Sequence, residues 1–102
     1  MRYFHFIVHT PFVGEDADVF IEAEDKDSAV VAAAEAANEN GMEWFDEGDW
    51  LERWDNGDGE EMTEVEYENA IGEYYAQCGY HLVKEITKFD YNLAIMKGEW
   101  CI

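Results

Sequence analysis

The chain opens on strict alternation. In Phe4-His5-Phe6-Ile7-Val8-His9-Thr10, Phe4, Phe6 and Val8 fall on one face and Tyr3, His5, Ile7 and His9 on the other. That is the two-residue period of a strand built from aromatic and β-branched residues. Pro11, the only proline, ends it, and Pro11 to Asp18 form a connection. Val19-Phe20-Ile21-Glu22-Ala23 predicts a second strand with Val19, Ile21 and Ala23 on one face, paired with the first as an antiparallel hairpin.

The period then lengthens. Asp25 or Asp27 can accept the free amides of a helix start, an alanine-rich run covers Ala29 to Ala37, and Asn40-Gly41 reads as the stop. Ala29, Val30, Ala33 and Ala37 make a stripe small enough for close approach to a sheet. In residues 42–61 aromatics interleave with acids; Trp50 and Trp54, four apart, fit one face of a short helix, and Asp55-Asn56-Gly57-Asp58-Gly59 reads as a turn. Thr63 with Glu66 matches a capping box, and Met62 with Tyr67 a hydrophobic staple. The helix they start carries Tyr67, Ala70, Ile71, Tyr74 and Cys78 at helical spacing and stops at Gly79. Leu82, Val83 and Ile86, then Tyr91, Leu93 and Ile95, predict a last hairpin turning near Phe89-Asp90. The order ββα-α-αββ predicts one α+β domain spanning residues 1–102, an antiparallel sheet of about four strands with two main helices on one face.

Charge changes the picture. The chain carries 25 acidic residues against 6 Lys and Arg, a net charge of −19. Such a charge is common in disordered tails, but 48% hydrophobic residues, with 4 Trp, 6 Tyr and 6 Phe, supply a core. The acids are concentrated: residues 15–73 hold 22 of them against Lys26 and Arg53, while residues 74–102 are balanced. Like charge at this density strains the folded state, and solubility needs a net charge of only about 2–8. Direct binding to nucleic acid or to an anionic membrane requires the opposite sign. No apolar stretch approaches the roughly 20 residues of a membrane span. Met1 to His5 alternates after Arg2, unlike a signal peptide, and Cys78 and Cys101 are too few for a disulfide framework. The expectation is a reduced, cytoplasmic protein.

Known chemistries find little purchase. His5 and His9 share a strand face but lie about 13 Å apart at roughly 3.3 Å per residue, too far for one metal ion. His81 and Cys78 could approach from neighbouring elements, but sheet-face histidines without a metal are the more frequent case. In the Asp55–Glu66 segment, both EF-hand registers place Trp54 at a ligand position. There is no phosphate loop, no Gly-x-Ser-x-Gly and no His-Glu-x-x-His, and both thiols sit in apolar or acidic company that raises their pKa. The sequence therefore predicts a non-enzymatic protein without a cofactor.

The acidic surface itself remains. Glu43, Asp46, Glu47, Asp49, Glu52, Asp55, Asp58, Glu60, Glu61, Glu64 and Glu68 form the candidate contact set, with Trp50 and Trp54 as aromatic anchors. Glu60, Glu61, Glu64 and Glu68 can share a face, with carboxylates spaced by roughly 5–6 Å at the Cβ. Nucleic-acid phosphates recur at a comparable few-ångström spacing, so a fixed array can enter a groove that holds a nucleic-acid backbone. Interleaved aromatics turn a charge match into a specific interface when exposed; large aromatics are, however, mostly buried.

The opening from Phe4 through Thr10-Pro11-Phe12-Val13-Gly14, followed by acids and Val19-Phe20-Ile21-Glu22, resembles small acidic bacteriophage proteins that begin with an alternating strand and a Thr-x-aromatic-Val-Gly turn. The likeness covers the first quarter of the chain and carries over no catalytic or binding residue. In size and charge, the chain is similar to phage inhibitors of restriction or CRISPR nucleases that imitate DNA. That resemblance implies a basic host nucleic-acid-binding protein as partner. The alternative is a homo-oligomeric structural or accessory phage protein docking through the apolar end Trp100-Cys101-Ile102; a homodimeric mimic satisfies both readings.

Overall fold

A computed structural model describes residues 1–12, 14–52 and 63–102. The elements are β1 (Arg2–His9), β2 (Ala17–Ala23), α1 (Lys26–Trp44), α2 (Glu47–Glu52), α3 (Glu64–Gln77), β3 (Gly79–Ile86), α4 (Lys88–Met96) and β4 (Trp100–Cys101). The fold is α+β, around a four-stranded sheet of order β3-β1-β2-β4. It is a mixed sheet: β1 runs antiparallel to β2 and β3, whereas the two-residue β4 runs parallel to β2.

Alternation along β1 holds in three dimensions. Phe4, Phe6 and Val8 lie opposite Ile21, Val19 and Ala17 and form the main core with Ala29, Ala33, Ala36 and Ala37 of α1. With methyl groups in its stripe, α1 sits close to the sheet. Asp25 caps it, accepting from the Ser28 amide at 2.7 Å, and that hydrogen bond holds the Asp25 carboxyl below the usual carboxylate range.

Besides the direction of β4, further sequence expectations are corrected. The first is the end of α1, which runs through Asn40-Gly41 to Trp44. Gly41 serves close approach instead of termination: a Cβ there would lie 2.7 Å from Cys78 Sγ, and the Gly41 carbonyl accepts the Tyr74 hydroxyl at 2.7 Å. Asn40, also buried, donates to the Glu15 carbonyl at 3.2 Å. A helix-interior glycine normally costs up to about 1 kcal/mol against alanine. Here Gly41→Ala is expected to destabilise by about 1–3 kcal/mol through overpacking. Pairing it with Cys78→Ala, which removes the clashing sulfur, is expected to restore most of that loss; a double-mutant cycle in urea checks it.

The second correction is the last hairpin. Lys88–Met96 is helix α4, and the C-terminal strand comes later. Thr87 accepts from the Asp90 amide at 3.1 Å, Tyr91 and Ala94 face inward, and Gly98, at φ +76°, closes the helix. The alternation of Tyr91, Leu93 and Ile95 was incidental. Because a helix joins β3 to β4, the chain crosses the sheet and β4 arrives parallel. Nor do the two main helices share one face of the sheet: α1 covers the inner face, whereas α3 packs through Tyr74 into a separate cluster with Phe12 and Trp50, and α4 lies on the outer face, where Tyr91 packs on Tyr3 at 5.0 Å.

Edge strand β3 carries a bulge. His5 pairs with Lys84 and Phe6 with Leu82, which leaves Val83 as the extra residue. The inserted residue lets Leu82 join the inner core while Lys84 and Ile86 face outward, although Leu82 and Lys84 have the same parity. Arg2 clamps the edge with two contacts to Glu85, at 2.7 and 3.0 Å, and this pairing lowers the Glu85 pKa.

Beyond the sheet, a second core gathers Phe12, Trp50 and Tyr74 with Phe45, Leu51, Tyr75 and Cys78. The molecule is accordingly long, 56 × 25 × 16 Å. The connection after β1 links the two cores: Thr10 Oγ1 accepts from the Phe12 amide at 3.1 Å, Phe12 enters the second core, and Gly14 adopts φ +87°. Val13 lies outside the described residues.

Candidate acidic protein-binding surface

Tyr74 organises the acidic end. Its ring lies 4.7 Å from Phe45, 5.4 Å from Trp50, 5.5 Å from Phe12 and 5.1 Å from Tyr75. Burial pushes its phenol up to about 12, so it is a neutral donor to Gly41. Trp50 Nε1 donates to the Ala70 carbonyl at 2.7 Å, which fastens α2 to α3. Trp50 is only 4% exposed. It is therefore a core residue, as large aromatics mostly are, and does not serve as an anchor of the contact set; at this end Trp44, 46% exposed on α1, and Tyr67, 38% exposed on α3, reach solvent.

Around this core the carboxylates face outward. Every described acid from 27 to 77 is exposed, and the one Lys or Arg of that span in the sequence, Arg53, lies outside the described residues. Of the contact set, Glu43 ends α1; Asp46, Glu47, Asp49 and Glu52 lie at α2; Glu64 and Glu68 stand four apart on α3. Trp54, Asp55, Asp58, Glu60 and Glu61 lie outside the described residues. Desolvation and the Glu47 carboxylate beside it raise the Tyr67 pKa, a contact that brings the acids of α2 and α3 together. Asp46 also accepts from the Asp49 amide at 3.0 Å and so caps α2.

The structure adds acids that the sequence reading passed over. Glu35, Glu39 and Glu43 recur every four residues along the exposed side of α1, about 6 Å apart at 1.5 Å rise per residue. Their i, i+4 spacing is the signal that would have found them. Glu15 joins the same end through Asn40, and Glu66 and Glu73 are exposed on α3. Glu22, Glu24, Asp25 and Asp27 lie instead at the far end of β2 and the start of α1.

Thr63 Oγ1 accepts from the Glu66 amide at 3.2 Å, as the capping pattern predicts; Met62 of the expected staple lies outside the described residues. Residues 64–69 of α3 are exposed all round, and the helix is anchored further on by Ala70 and Tyr74. Like-charge repulsion across α1–α3 is then a standing load on the fold. Raising NaCl from about 10 to 150 mM shortens the screening length from roughly 30 to 8 Å and is expected to raise the melting temperature by several degrees; calorimetry at the two salt concentrations checks it.

Among the described residues, no three His, Cys, Asp or Glu side chains converge as metal ligands. His5 Nε2 lies 2.7 Å from Asp18, and His9 packs over Gly79, where a Cβ would fall 2.8 Å from its ring. Burial raises the pKa of both free thiols, Cys78 and Cys101. No described helix is long and apolar enough to cross a membrane. Comparison with protein-family models, with curated proteins and with solved structures returned no match.

Proposed function

We propose that this protein is a non-enzymatic inhibitor that presents carboxylates in place of phosphates to a basic nucleic-acid-binding protein, with a defence nuclease of restriction or CRISPR type as the partner class. The observation carrying the proposal is the run from 35 to 77, in which every described acid is exposed and Arg53, outside the described residues, is the only Lys or Arg of that stretch of the sequence. These acids ride on three helices tied to one aromatic core, so the charge is displayed from a defined framework. A framework lowers the ordering cost of binding, and the field draws in a cationic partner quickly. Partner residues would exchange phosphate contacts for contacts to Glu43, Glu47, Glu64 and Glu68, with Trp44 at the margin. An association of this kind is electrostatic and weakens steeply with salt. Capture of partners from a bacterial lysate at increasing NaCl tests it: loss of the captured protein on going from about 50 to 500 mM is expected, and retention unchanged across that range contradicts the reading.

A further inference from the structure

The outer face of the sheet holds a cavity of about 280 Å³ beneath α4, at the lower limit for small-molecule sites. Phe20, Ile86, Leu93 and Ala94 give it an apolar lining. Lys84 from β3 and Lys97 from the C-cap of α4 stand at it. In a chain with 25 acids, neither lysine forms an ion pair among the described residues, and the neighbouring Glu85 is taken by Arg2. His5 is held in the wall by stacking on Phe20 at 4.6 Å and by Asp18 at 2.7 Å. The Val83 bulge builds the site, because it turns Lys84 and Ile86 toward α4.

We propose that this cavity binds a small organic anion with a flat apolar body, an arylcarboxylate in class: the ring lies on Phe20 and Leu93 while the carboxylate meets Lys84 and Lys97. Two acids, Asp90 and Glu99, also line it. Asp90 lies in the first turn of α4, where the positive end of the helix favours it. Lys84 and Lys97 against Asp90 and Glu99 leave the lining without net charge, so the preference for an anion rests on direct contact with the two lysines and not on the overall sign of the site. Two-dimensional amide NMR with phenylacetate and phenethylamine, which differ in the sign of their charge, tests the assignment. Phenylacetate is expected to give saturable shifts at Lys84, Leu93 and Lys97. Lys84→Met and Lys97→Met, both at exposed positions, are each expected to weaken it roughly tenfold, while Lys84→Arg retains binding. Phenethylamine binding as tightly, or no saturable shift with phenylacetate at millimolar concentration, overturns the proposal. Neither outcome bears on the acidic surface.

Discussion

Tyr74→Ala is expected to destabilise the protein by about 3–5 kcal/mol, the largest effect of any single substitution considered. The ring fills the centre of the second core, between Phe12, Phe45 and Trp50, and its hydroxyl satisfies the Gly41 carbonyl. Truncation opens a cavity where α1, α2 and α3 meet and removes a buried hydrogen bond at once. A domain of this size has only about 5–15 kcal/mol in reserve, so the urea midpoint is expected to fall sharply. Loss should begin at the acidic end: α3 contributes Ala70 and Tyr74 to the interior and almost nothing else. Amide exchange in α3 is therefore expected to accelerate before exchange in β1 and β2. Tyr74→Phe keeps the ring and removes only the hydroxyl, and is expected to cost about 1–1.5 kcal/mol. Equal losses for the two variants would mean that the aromatic packing is not what holds the second core.

Reversing Glu43, Glu64 and Glu68 to lysine is expected to weaken partner binding by about two orders of magnitude, the range found when charges meeting an oppositely charged partner are lost. All three are exposed, so the fold should survive; the repulsion between positions 64 and 68 persists with two lysines in place of two glutamates, so it does not confound the comparison. Reversal of Glu22, Glu24 and Asp27 changes net charge by the same amount at the opposite end of α1. That triple is expected to leave binding within about threefold, an effect of long-range steering alone. Titration of both triples against the captured partner separates pattern from total charge; equal losses would assign the interaction to net charge.

Local order was legible wherever the period was clean and the neighbours agreed. β1, β2 and the alanine stripe of α1 stand where alternation and small-residue spacing put them, as do the caps at Asp25 and Thr63. Misreadings came where a local signal carried two meanings. Asn40-Gly41 has the composition of a helix stop, but its glycine is required by the Tyr74 and Cys78 side chains of a helix more than thirty residues away. Tyr91, Leu93 and Ile95 alternate like a strand, yet Thr87 and Asp90 cap a helix there and Gly98 ends it. The parallel arrival of β4 and the placement of α4 on the outer face follow from that one helix. For Trp50 the sequence left two readings, anchor among acids or buried ring, and the fold turns the ring inward and the acids outward. The row Glu35, Glu39, Glu43 was readable from spacing alone once α1 was known to continue past Gly41.

Displacement of nucleic acid from the captured partner is the most direct measurement of the central claim. A labelled duplex bound to that partner, followed by fluorescence anisotropy while this protein is added at a fixed, low NaCl concentration, is expected to be released progressively and in full as the protein is brought to excess. A duplex that stays bound while the protein also binds, forming a ternary complex, would contradict the claim that the carboxylates occupy the groove made for phosphates.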